Sequence, residues 1–220
     1  MEAKDVRKVE RKERAVKIVE SLKIAYPDAL CALHSDKDYE LMIAVRLSAQ
    51  CTDERVNMIT PALFERYPTL EAFAEADVAE VEEMVHSCGF YKHKARDIVL
   101  ACQVLLRDHG GKVPNDMDAL LKLPGVGRKT ANLLLGDLYG VPGSVVCDTH
   151  CIRICGKLGL TDGTKEPEKA ERQLREVLPP EESSDFCHRI VLHGRAVCTA
   201  RKPDCANCPL RQFCKEFSGE

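Results

Sequence analysis

Apolar residues recur at helical spacing along most of the chain, and no stretch alternates with period two for long enough to predict a sheet. The charged amphipathic run from Arg7 to Ala25 predicts a first helix that Pro27 ends. Tyr39 to Ser48 has the dense apolar spacing of a buried helix, and Thr52 or Asp53 is placed to cap a next one through Phe64. Two short helices are expected over Leu70 to Glu75 and Val78 to Cys88, the second closed by Gly89. Lys92 to Asp108 follows, closed by Gly110-Gly111, and Asn115 or Asp116 then caps a short helix to Leu121. Gly127 opens a helix that runs to Tyr139, where Gly140 and Pro142 stop it. Asp148 to Leu158, Pro167 to Leu178 and a last long helix to Val197, capped by Ser184, complete an all-α chain.

The 220 residues, 45% hydrophobic and 30% charged, are enough for one large domain or two modest ones with proper cores. No apolar run approaches the roughly 20 residues of a membrane helix. The start, Met1-Glu2-Ala3-Lys4-Asp5, carries both signs of charge and leads into no apolar region, which predicts no secretory signal and a cytoplasmic protein. A net charge of −3 argues against a polyanionic partner until its distribution is considered. Glu65 to Glu83 holds seven acidic residues against one basic, and Thr161 to Asp185 holds eight against four. Lys122 to Leu160 has five basic against two acidic, and His188 to Glu220 six against three. Local potential steers a polyanion, so two basic stretches in a neutral-to-acidic chain are compatible with nucleic acid.

Twelve cysteines are many for a protein of a reducing compartment, and there they indicate metal ligands or buried thiols rather than disulfides. Four lie close together near the C-terminus as Cys198-x6-Cys205-x2-Cys208-x5-Cys214. The segment is too short for a core of its own and needs something to fold around. Four thiolates suit zinc or an iron–sulfur cluster; the wide first loop and single tight knuckle suit the larger [4Fe–4S] cube better. Cys147, Cys151 and Cys155 have helical i, i+4, i+8 spacing and read as buried thiols rather than a second metal site.

Leu123-Pro124-Gly125-Val126-Gly127 joins two short helices. Its glycines permit positive φ and close backbone approach, and Arg128-Lys129-Thr130 begins the next helix at once. Exposed amides in such a turn, beside a helix N-terminus, form a phosphate site; a purely structural turn is the plainer reading of Gly-x-Gly alone. Lys129 falls in the helix's first turn, where the dipole and Arg128 disfavour a second positive charge and so favour a nucleophilic neutral amine. Further on, Val145-Val146-Cys147-Asp148-Thr149-His150 puts a carboxylate at a helix start, where it serves as an N-cap and is also held ionised and aimed.

Taken together and in order, Leu123 to Ala131, Val146-Cys147-Asp148-Thr149-His150 and the four-cysteine tail resemble the endonuclease III family of helix-hairpin-helix DNA glycosylases. The resemblance extends to Leu47-Ser48-Ala49-Gln50-Cys51-Thr52-Asp53, Gly89-Phe90-Tyr91 and Leu192-His193-Gly194-Arg195. It implies a six-helix barrel over residues 30–142, carrying the hairpin, and a cluster domain from residues 1–29 with 143–220. DNA is expected in the cleft between them. It implies a monomeric, DNA-associated glycosylase with abasic-site lyase activity on oxidised or ring-saturated pyrimidines in duplex DNA.

The roles it implies are Lys129 as nucleophile, Asp148 as catalytic carboxylate, and Cys198, Cys205, Cys208 and Cys214 as ligands of a [4Fe–4S] cluster. Gln50 and Phe90 would enter the duplex, and Gly125, Gly127, Arg128 and Thr130 would form the hairpin's DNA contact. His150 would lie near the pocket, and Arg201 and Lys202 would meet phosphates from the cluster loop. Phe90 stands where the family pattern has an aliphatic wedge, and Cys51 and Cys147 stand where it has small or apolar residues. A monofunctional mismatch glycosylase of the same fold is the near alternative, but it usually lacks the hairpin lysine. A non-catalytic DNA-binding module is the more distant one.

Overall fold

The computed structural model describes residues 3–217; Met1, Glu2 and residues 218–220, and with them the first charge of the N-terminus, lie outside the described residues. The helices are α1 (Ala3–Ala25), α2 (Asp38–Ser48), α3 (Asp53–Arg66), α4 (Leu70–Ala74), α5 (Val78–Val85) and α6 (Tyr91–His109). They continue with α7 (Met117–Leu120), α8 (Arg128–Tyr139), α9 (Thr149–Lys157), α10 (Pro167–Val177) and α11 (Ser183–Ala196). Three single 3-10 turns, His86–Cys88, Pro180–Glu182 and Arg211–Phe213, complete the regular structure among the described residues. The chain forms two compact helical units: the N-terminal segment to Leu30 with everything from Gly140 onward, and Cys31–Tyr139.

Helix starts are fixed by side chains that accept from the otherwise orphaned first-turn amides. Thr52 accepts from Arg55 N, Thr69 from Ala72 N, Asp77 from Ala79 N, and Asp116 from Ala119 N. Two expectations are corrected. Val78 to Cys88 is not one helix: α5 ends at Val85 and the chain tightens into a 3-10 turn before Gly89. Ser184 does not cap α11, because the 3-10 turn Pro180–Glu182 runs straight into that helix. The chain is therefore already helical at Ser183, whose hydroxyl bonds back to the Pro179 carbonyl (3.2 Å).

In the Cys31–Tyr139 unit, α2 is nearly all buried and packs on α3, α6 and α8, while α4 and α5 lie along α6. Phe73 sits at the centre of an aromatic group with Tyr39, Phe64 and Tyr67. The buried face of α8 (Ala131, Leu134, Leu135) is continuous with Leu120, Leu123 and Val126 of the preceding turn. Each of these leucines and valines contributes about 1.5–3 kcal/mol by leaving water, so the hairpin is seated on the core and not a free loop. In the other unit α1 packs on α10 and α11, and α9 packs on α11. Among the described residues, no helix is long and apolar enough to cross a membrane.

Candidate active site

The turn between α7 and α8 is built from inside outward. Leu123 and Val126 point into the core, the Val126 amide bonds the Leu123 carbonyl (3.1 Å), and Gly125 takes φ +75°. The turn therefore presents Gly125 and Gly127 on its exposed side. The first α8 ladder bond runs from Ala131 N to the Gly127 carbonyl (2.9 Å), which leaves the first-turn amides of Lys129 and Thr130 directed out of the helix end. Lys129 is exposed there, with Arg128 and Thr130 half-buried beside it. An amine, a positive helix end and a glycine turn thus share one face.

This turn has a support that sequence reading missed. Arg46 of α2 forms an ion pair with Asp97 of α6 (2.7 and 3.1 Å), with about a fifth or less of either side chain exposed. Gly125 lies against the pair so closely that a Cβ there would stand 2.5 Å from Arg46 Nε and 3.0 Å from Asp97 Cβ. An arginine and an aspartate 51 residues apart give no local signal of pairing, and only the fold brings them together.

Gln50 and Phe90 are both exposed, and they are the two non-glycine residues with positive φ (54° and 49°) among the described residues. Gln50 follows α2; Phe90 follows Gly89, whose φ 67°, ψ 156° is a conformation only glycine takes readily. Backbone strain at two exposed loop tips is the kind of local cost that persists where function holds it in place.

In the other unit Asp148 is the N-cap of α9, its Oδ1 accepting from Cys151 N at 2.7 Å. The cap leaves the carboxylate half-buried at the helix start. His150 packs against Gly194, and its Nδ1 lies 3.3 Å from Arg153 Nη2. Arg153 also donates to the Cys198 carbonyl (2.7 Å) and Sγ (3.5 Å), a link that sequence reading missed.

Cys198, Cys205, Cys208 and Cys214 line one cavity of about 120 Å³, with Val197, Arg211 and Phe217 in its wall. Among the described residues no group of three or more His, Cys, Asp or Glu stands close enough together to hold a metal ion as the side chains lie. Four soft sulfur donors around one cavity are a donor set that suits an iron–sulfur group. His193 Nε2 is 3.6 Å from Cys208 Sγ and its Nδ1 is 3.1 Å from Tyr26 Oη. Burial, reinforced by the Arg153 charge, pushes the imidazole down to about 4, so it is neutral in the fold. The loop from Cys198 to Cys205 is closed by Asp204 N bonding the Val197 carbonyl (2.9 Å) and by Thr199 Oγ1 bonding the Lys202 carbonyl (2.7 Å). Arg201 and Lys202 stand exposed at its tip.

The remaining cysteines of this unit are packing groups. Cys147, Cys151, Cys155 and Cys187 are all buried, and Cys151 is pushed well above the ordinary thiol range by hydrogen bonds with the other three and by burial.

Residues 43–180 match the model of the HhH-GPD superfamily of base excision DNA repair proteins, and residues 198–214 match the iron–sulfur binding domain of endonuclease III. The endonuclease III of Synechocystis sp. is 47% identical over 93% of this chain and 93% of its own. A solved non-covalent endonuclease III–DNA complex superposes with TM-score 0.87 at 40% identity, covering 93% of this chain and 95% of the other. A trapped endonuclease III–DNA covalent intermediate does so with the same score and identity, over 93% and 96%.

Proposed function

The chain belongs to the endonuclease III family of helix-hairpin-helix, iron–sulfur DNA glycosylases, and we propose Lys129 and Asp148 as the groups that carry its reaction. It is a bifunctional enzyme that releases oxidised or ring-saturated pyrimidines from duplex DNA and cleaves the resulting abasic site. The observation that supports the assignment most is Lys129, an exposed primary amine at the open end of α8 beside the glycine turn, in a chain similar to one trapped covalently on DNA.

A damaged base inside the stack is out of reach, so the nucleotide rotates out of the helix. The hairpin turn and the first amides of α8 hold phosphate and so deliver Lys129 to the sugar. The neutral amine forms a bond to the anomeric carbon as the bond to the base breaks, the base taking the electron pair and a proton. Ring opening gives an imine between Lys129 and the sugar. Loss of a C2′ proton then expels the 3′ phosphate by β-elimination, and water releases the enzyme from the imine. Asp148, fixed as an N-cap, faces the positive charge that develops on the sugar and takes part in moving the amine's protons. Gln50 and Phe90 fill the space the nucleotide leaves. Arg128, Thr130 and His150 complete the DNA contact, with Arg201 and Lys202 on phosphates.

Cys198, Cys205, Cys208 and Cys214 would hold a [4Fe–4S] cluster, whose contribution when bound is to give the tail a core and the Cys198–Cys205 loop its shape. The enzyme works as a monomer on DNA in the cytoplasm.

Borohydride reduces an imine to a stable crosslink, so the wild type should be trapped on thymine-glycol duplex, and Lys129→Gln should give none while still binding. A Lys129→Gln protein that crosslinks at wild-type yield would mean that another amine does the chemistry.

A further inference from the structure

Lys94, in the first turn of α6, is 1% exposed, among the most deeply buried large side chains among the described residues. Its ammonium donates to the Leu47 carbonyl and to the Cys88 carbonyl, each at 2.8 Å. Its own amide donates to the Phe90 carbonyl at 3.1 Å. Leu47 is in the last turn of α2, three residues before Gln50; Cys88 ends the 3-10 turn, two residues before Phe90. One residue therefore ties together the two segments that end in the strained, exposed Gln50 and Phe90.

A buried ammonium is expensive, and a methionine, one heavy atom shorter, would fill most of the space without that cost. What only a cation with several donors supplies is a simultaneous hold on two carbonyls at two helix ends, where the negative dipole end favours it. The two loops are joined to each other at this point and not merely to the core.

We propose that Lys94 is a positioning residue for base extrusion, setting the spacing and direction of Gln50 and Phe90 so that both enter the duplex together. The inference rests on the functional reading above, which supplies the duplex for them to enter. It concerns the gap-filling step, since the hydrogen bonds of Lys94 go to the segments that end in Gln50 and Phe90, while Arg46 beneath the hairpin acts on it only through charge.

The test compares two substrates with the cluster-loaded Lys94→Met protein. One is a thymine-glycol duplex, where extrusion must be compensated; the other is a single-stranded oligonucleotide with an abasic site, where no stacked gap exists. Base release from the duplex should fall about 10- to 100-fold, the scale of a small misplacement, while borohydride trapping on the single strand stays within about twofold of wild type. In a Phe90→Ala background the same change should cost much less on the duplex, because the residue it positions is gone. Equal loss on both substrates would make Lys94 a general structural residue and overturn the proposal, as would no loss on the duplex. A wild-type protein that cannot be trapped on either substrate would instead sink the functional reading, and the proposal with it. If Lys94→Met is recovered only as aggregate, Lys94→Gln, which keeps an uncharged donor, takes its place: selective loss on the duplex supports the proposal, and equal loss or none overturns it.

Discussion

Gly125→Ala is the sharpest probe of how the hairpin is held. The residue has φ +75°, where an L side chain costs about 1–2 kcal/mol. The added Cβ would meet Arg46 Nε at 2.5 Å, Arg46 Cδ at 2.7 Å and Asp97 Cβ at 3.0 Å, so either the turn rises or Arg46 swings off Asp97. The guanidinium is the movable partner, and moving it gives up charge-assisted bonds of 2.7 and 3.1 Å in a partly buried site, about 1–2 kcal/mol after discounting for its exposure. Together the loss is about 2–4 kcal/mol, or roughly 5–15 °C in the melting temperature of a protein this size. The contrast is Gly127→Ala, two residues on, where a Cβ meets nothing within 4 Å and φ is ordinary. That variant should melt within a few degrees of wild type, since Gly and Ala differ modestly at a helix start, about 1 kcal/mol. Melting curves of the holoproteins measure both, and titration of a duplex with an uncleavable abasic-site analogue should show Gly125→Ala binding about tenfold or more weakly. If Gly125→Ala melts no lower than Gly127→Ala, the Arg46–Asp97 pair does not support the turn and the reasoning fails.

Asp148→Asn should keep its stability within about 1 kcal/mol, since Asn caps a helix as well as Asp, yet slow single-turnover base release about 100-fold or more; a rate within threefold of wild type would remove the carboxylate from the mechanism. Phe90→Ala should weaken binding to thymine-glycol duplex more than to undamaged duplex, because only flipping leaves a gap to fill; equal loss on both would make Phe90 a packing residue. Lys202→Ala should make the slope of log K against log salt shallower by about 0.9, one phosphate's worth, and an unchanged slope would move that contact elsewhere. Anaerobically purified protein should be yellow-brown, with broad absorption near ~400 nm and about four irons per chain; one zinc and no iron would contradict the cluster.

Helix positions are legible in the sequence because helices carry local signals: an amphipathic period, a Thr or Asp at the start, a Gly or Pro at the end. Those signals alone offer Thr52 or Asp53, Asn115 or Asp116, and Asp148 as caps, and Thr52, Asp116 and Asp148 are the ones that accept from a first-turn amide, as Thr69 and Asp77 also do. Ser184 misleads because a cap-type residue inside a helix looks the same in one dimension as one that starts it, and only the preceding 3-10 turn decides. The residues proposed to carry the chemistry can be singled out for a similar reason, since Lys129, Asp148 and the four cysteines sit in short contiguous motifs. Lys94, Arg46 and Asp97 are not, because each acts through a partner dozens of residues away. As side chains on helices they look like any surface lysine, arginine or aspartate until burial and pairing are seen.

A single property of the α-helix underlies the placement of both groups proposed to react. Four amides at a helix start lack partners in the ladder, and they can be met by an external anion or by a side chain of the chain itself. At α8 a glycine, Gly127, precedes the helix and the adjoining Lys129 side chain is exposed, and in the proposed mechanism the first amides there meet a phosphate. At α9 the helix start is met by a carboxylate of the chain itself: Asp148 satisfies Cys151 N and is thereby held in a defined orientation. The glycine makes one helix end an anion receptor, and the aspartate makes the other a fixed negative charge. Exchanging the two, with a carboxylate at 127 and a glycine at 148, should cap α8 in place of α9 at little net cost in helix stability and, on the proposed mechanism, abolish the reaction. The hairpin would then repel the DNA backbone, and the developing positive charge on the sugar would lose its counter-ion. Helix stability alone is therefore nearly indifferent to this arrangement, and the proposed reaction with DNA supplies a reason for it.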